Sequence, residues 1–130
     1  MTFADNKPIY RQIAERLEDE VVSRKYEEGE RTPSVREYSA LLQVNVNTVA
    51  RAYETLAQDG VIQQQRGLGY YVNTGAREAI IARRRQHFIN VEMPAFLRDM
   101  KRYGIPLEEL KKCETEIEKA ENKAIEIEEA

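Results

Sequence analysis

The chain has 130 residues, 42% of them hydrophobic and 33% charged, with a formal net charge of -3. That is the length of about one domain with a small appendage, enough for one packed core and too little for a dinucleotide-binding unit plus a substrate domain. An acidic total argues against indiscriminate coating of nucleic acid, and no stretch approaches the roughly 18–20 apolar residues a membrane helix needs.

Met1, Thr2, Phe3, Ala4 and Asp5 carry neither a basic nor an apolar leader region, so no secretory signal and a cytoplasmic location are expected. Pro8 suits a first helical turn, and Ile9, Ile13, Leu17 and Val21 then recur every four residues on one face, predicting a helix to about Arg24. Glu15, Glu18 and Asp19 fall on its other faces. After the turn Glu27-Glu28-Gly29-Glu30, Ser34 and Glu37 have capping-box spacing, and Val35, Tyr38, Leu41 and Leu42 form the apolar set of a short second helix.

Gln43-Val44 interrupts that pattern, and Asn45 is a good N-cap for a third helix over roughly residues 46–58. Val49, Ala52, Tyr53 and Leu56 should pack inward, leaving Asn47, Thr48, Arg51, Glu54 and Thr55 outward. Asp59-Gly60 stops the helix. Val61-Ile62 and Tyr70-Tyr71-Val72 read as two short strands around the tip Gly67-Leu68-Gly69. The fold class expected is therefore mostly α, an N-terminal winged helix-turn-helix of three helices and a two-stranded wing over residues 1–75, followed by a short two-helix dimerisation region over 76–130.

In that second region Ile80, Phe88, Val91, Phe96, Leu97 and Met100 give an apolar side, and Pro94 should kink or restart the helix. Beyond Gly104-Ile105-Pro106, the residues Leu110, Cys113, Ile117, Ala120, Ala124 and Ile127 alternate steps of three and four. Such a seam packs against another helix, within the chain or across a homodimer. Net charge is -2 over residues 1–75, +4 over 76–103 and -5 over 104–130.

The residues that could carry chemistry are few. Cys113 and His87 are the single cysteine and histidine, too few for a disulfide or a metal cage and poorly placed for a nucleophile and base, so neither cofactor nor enzymatic activity is expected. Duplex DNA is a better match. Arg can bond guanine O6 and N7 together, and Asn can bond adenine N6 and N7. Asn45, Asn47, Thr48 and Arg51 stand where a recognition helix meets base edges and phosphates, although capping is the favoured duty of the Asn45 side chain. Arg36 can reach a phosphate or pair with Glu37 or Glu54. Arg66 and Gly67 at the wing tip combine a cation with bare backbone that can approach a minor groove. The run Arg83-Arg84-Arg85 reads as a solvated helix face that strengthens the local field.

Several spaced motifs now resemble one family: Pro8-Ile9-Tyr10-Arg11-Gln12-Ile13, Pro33-Ser34-Val35-Arg36-Glu37, Val44 to Tyr53, Asp59-Gly60-Val61-Ile62 and Arg66-Gly67-Leu68-Gly69-Tyr70. Together they are similar to the signature of GntR-family transcriptional regulators over about residues 7–74, and the short tail is similar to that of the YtrA subfamily. The resemblance implies a dimeric bacterial repressor that touches its operator through Arg36, Asn45, Asn47, Thr48, Arg51, Arg66 and Gly67. Thr32 stands where the family usually has Leu, which should loosen helix packing. Val46 and Ala50 stand where some branches carry operator-contacting arginines.

The expected function is thus a homodimeric regulator on a palindromic operator. The alternative is a winged-helix protein-interaction module that docks through the acidic last helix. A small-molecule effector is left open: the natural place is between subunits near Phe88, Phe96 and Tyr103, residues expected first of all to be core.

Overall fold

The computed structural model describes residues 6–129, so the opening residues 1–5 lie outside it. It divides into two compact units, Met1–Arg85 and Gln86–Ala130. The first unit holds α1 (Ile9–Val22), α2 (Val35–Leu42), α3 (Val46–Gln58), the antiparallel strands β1 (Ile62–Gln65) and β2 (Gly69–Val72), and most of α4 (Ala76–His87). It extends past residue 75 because Ala76 and Ile80 of α4 are buried in the same core as Ile13, Leu17 and Val21 of α1. Ile9, at the head of that α1 row, stays 47% exposed.

Glu18 was expected on an outer face, yet it is buried. The cause is α4: Arg83 pairs with the Glu18 carboxylate, and Arg84 lies 3.7 Å from Glu18 and 2.6 Å from Asp19. A buried carboxylate is tolerated only with such partners. Two members of the arginine run therefore fasten α4 to α1 while their side chains stay partly in solvent.

α2 begins with the expected capping box, Glu37 N–H donating to Ser34 Oγ (3.0 Å) and Ser34 N–H to Glu37 Oε1 (3.1 Å). Its apolar set is corrected at one position. Leu41 is 59% exposed, and Ser39 takes the inner face, donating its hydroxyl to the Val44 carbonyl. The turn to α3 is made by Gln43 in the left-handed region (φ 56°), with Val44 N–H returning to the Ser39 carbonyl at 3.2 Å.

Strand pairing runs from Ile62 opposite Val72 to Gln65 opposite Gly69. The segment before α2 lies on the far side of β2, where Arg31 bridges to Tyr71 and Thr32 N–H donates to the Tyr70 carbonyl (2.9 Å). Thr32 is fully buried and its hydroxyl donates to the Pro33 carbonyl (3.1 Å). The threonine that stands where leucine was expected is thus buried and hydrogen-bonded.

In the second unit a π-helical turn, Phe88–Glu92, joins α4 to α5 (Met93–Arg102), and α6 (Leu107–Glu129) follows. Pro94 sits in the first turn of α5. The π turn before it closes with Met93 N–H donating to the Phe88 carbonyl, and the helix restarts at the proline, whose missing N–H costs nothing in a first turn. The apolar side expected here is buried at Met100, 7% exposed, whereas Phe88, Val91 and Phe96 are half exposed and Leu97 is 39% exposed. Among the described residues no helix is long and apolar enough to cross a membrane.

Candidate nucleic-acid interface

α3 starts where Asn45 caps it, its side chain accepting from Asn47 N–H at 2.7 Å. Capping uses the Asn45 side-chain oxygen, the duty favoured from the sequence. The inward set Val49, Ala52, Tyr53 and Leu56 is buried as the periodicity requires, and this turns Asn47, Arg51 and Glu54 outward. Thr48 and Thr55 are half-buried at the flank.

The face is held by aromatic contacts beneath it. Tyr53 packs edge-on against Tyr70 of β2 (ring centroids 5.1 Å apart) and donates to the Pro33 carbonyl at 2.7 Å. Tyr38 donates to the buried Glu20 carboxylate, which Lys25 meets on its other oxygen at 3.0 Å. Burial pushes both phenols well above their ordinary range, so they remain neutral donors at any working pH. These bonds tie α1, α2, α3 and the wing into one support for the outward residues.

Arg51 is not simply solvated. Its guanidinium lies over the Tyr10 ring of α1, 4.0 Å from the centroid, and Arg11 approaches the same ring at 5.9 Å. Such stacking lowers the side chain's freedom while leaving its in-plane donors available. Arg36 is exposed and, among the described residues, forms no ion pair with Glu37 or Glu54. Glu37 is instead 3.7 Å from Arg31. The Ser34 bonds hold the Glu37 carboxyl below its usual range, keeping it an anion.

At the wing tip Arg66, Gly67 and Leu68 are all exposed. A side-chain carbon at Gly67 would meet nothing within 4 Å, and the need for glycine comes from its φ of +78°. Gly69 is different: with φ +105°, its absent Cβ would also lie 3.0 Å from Nε of Arg31. That nitrogen donates to the Leu68 carbonyl at 3.1 Å. Arg31 thus braces the tip from outside the hairpin. Sequence reading missed it, because a partner 37 residues away leaves no local signal.

Other expectations separate from this face. Arg83 and Arg84 are committed to α1, as described above. Leu110, Cys113, Ile117, Ala120, Ala124 and Ile127 all lie on α6 and all are exposed. Phe88, Phe96 and Tyr103, expected as core, are 52%, 54% and 70% exposed. Among the described residues no cluster of His, Cys, Asp and Glu could hold a metal ion. An open, polar depression of ≈ 250 Å³ lies against Arg24, Tyr26, Arg77 and Glu78, with Arg77 Nε already donating to the Val22 carbonyl.

Comparison with known proteins agrees with this geometry. Residues 9–72 match the profile described as bacterial regulatory proteins, gntR family. The HTH-type transcriptional regulator YhcF of Bacillus subtilis is 31% identical over 108 residues, covering 83% of this chain and 88% of that one. The HTH-type transcriptional repressor YtrA of the same organism is 30% identical over 103 residues, covering 79% and 78%. A crystal structure of a GntR-family regulator from Bacteroides thetaiotaomicron superposes with a TM-score of 0.73 at 38% identity, over 88% of this chain and 99% of that one. The profile match over residues 9–72 and two relatives matched over most of their length place the chain in the GntR family of bacterial transcriptional regulators, DNA-binding proteins and not enzymes.

Proposed function

We propose that this regulator works in the cytoplasm as a homodimeric repressor on a palindromic operator. Residues 1–75 bind DNA and residues 76–130 join the two copies. Arg36, Asn47, Thr48 and Arg51 meet the major groove and its phosphates, Asn45 shapes the start of the helix, and Arg66 and Gly67 reach the adjacent minor groove. The observation that carries the reading is the pairing of a polar outer face on α3 with an exposed arginine-glycine tip, both built on one buried tyrosine-rich support.

The dimer is supported by the row Leu110, Cys113, Ile117, Ala120, Ala124 and Ile127, a heptad stripe left in water by the single chain. Two winged units held together combine their binding energies on half-sites a helical turn apart. The word repressor comes from YtrA, so described, which matches most of this chain.

Gel-shift titration at two salt concentrations, with a light-scattering mass, tests it. We expect a mass of two chains, one preferred palindrome, and affinity that falls steeply with salt, by a logarithmic slope of about 0.9 for each phosphate contact. Arg51→Ala and Arg66→Ala should weaken DNA binding and leave the mass unchanged. Equal, weak binding to every sequence, or no change in either variant, sinks the reading in favour of a protein-docking module.

A further inference from the structure

The outer face of α3 is short of cations. Along Val46–Gln58 the charged residues are Arg51 and Glu54. The Arg51 guanidinium is drawn over Tyr10, so its charge is held on the side of the helix that faces α1. What stands open at the start of the helix is Val46, 44% exposed, with the exposed Asn47 and the partly exposed Ala50. Val46 and Ala50 are four apart, Asn47 and Ala50 three apart, so the three form one patch on the helix surface.

A base-reading patch of that composition has a definite preference. Guanine is read by the forked donors of Arg or the ammonium of Lys, adenine by the amide of Asn, and the thymine 5-methyl group by apolar contact. This patch offers one amide and two aliphatic groups. Asn47 spends its backbone N–H on the Asn45 cap, which leaves its side chain for the groove. Val46, as the first residue of the helix, projects from the end that enters the groove in helix-turn-helix proteins.

We propose that Val46, Asn47 and Ala50 read A·T pairs in each half-site, Asn47 through paired hydrogen bonds to an adenine and Val46 and Ala50 by packing on thymine methyl groups. Arg51, seated on Tyr10, contacts the sugar-phosphate backbone and not a guanine. The assignment rests on α3 being the groove-entering helix, as proposed above.

The test uses the full chain and duplexes it selects from a random pool. Each half-site thymine is then replaced by uracil, which keeps base pairing and removes only the 5-methyl group. Uracil at the one or two contacted positions should lower affinity about fourfold for each methyl no longer covered. In Val46→Ala that sensitivity should vanish at one position, and because Val46 is exposed the variant should fold. Arg51→Ala should flatten the salt slope by about 0.9 and leave the selected bases unchanged. Selected half-sites centred on G·C and indifferent to uracil overturn the base assignment while the DNA-binding reading stands. So does relaxed selection at a guanine in Arg51→Ala. Failure to select any sequence overturns both.

Discussion

In the first unit Ile13, Leu17, Val49, Tyr53 and Ile80 are withdrawn from water by one another, although they span most of that unit's length. In the second, Phe88, Phe96, Ile117 and Ile127 recur with equally regular helical spacing and stay half exposed or more. Periodicity is therefore the same signal in both regions and has two outcomes. An apolar stripe fixes which face of a helix must be covered, and only the meeting of elements fixes whether the same chain covers it. The first unit closes on itself and presents a polar face; the second presents the apolar face that the proposed dimer would use.

The contrast can be broken or sharpened by substitution. Leu17→Ala, at a site with no solvent exposure, should cost about 2–5 kcal/mol in urea unfolding followed by circular dichroism. A loss below about 1 kcal/mol would mean that the first unit's core is no better closed than the second's. Glu18→Gln removes the buried anion that Arg83 and Arg84 grip, and should cost about 1.5–3 kcal/mol. No loss there would detach α4 from the first unit.

Ser34→Ala, which removes one arm of the capping box, should cost about 1 kcal/mol. The same box predicts a pH effect. Glu37 has its folded pKa lowered by the Ser34 bonds, so its contribution is present at neutral pH and is lost as pH falls through and below the ordinary glutamate range. Glu37→Gln should flatten that part of the acid profile of thermal unfolding, and an unchanged profile would refute the assignment. Smallest of all, Ile117→Asp should leave the first unit's unfolding within about 0.5 kcal/mol of the parent while halving the mass in solution. A loss as large as that of Leu17→Ala would show that α6 shares the first unit's core.

Much of the candidate face was legible in the residues. Asn45 as cap, the inward set Val49, Ala52, Tyr53 and Leu56, and the glycine-tipped hairpin all follow from chemistry within a few positions. Arg31 was not legible, nor was the stacking of Arg51 on Tyr10, because their partners lie 37 and 41 positions away and neither breaks a local pattern. Leu41 was expected inside, where Ser39 stands instead, because a polar residue can occupy an inner face once a carbonyl beyond the helix end accepts from it.

By itself the sequence determined the order of the first three helices and the wing, the caps of α2 and α3, the family and the polar outer face of α3, whereas the two helices expected after residue 75 are three, α4, α5 and α6. Tertiary structure alone decided that two arginines of α4 would be spent on the buried Glu18, that Arg51 would lean on α1, and that the second unit's apolar rows would stay open. The division is physical. Caps, turns and periodicity depend on neighbours within about a turn or two, whereas ion pairs, stacking and burial depend on which surfaces the folded chain brings together.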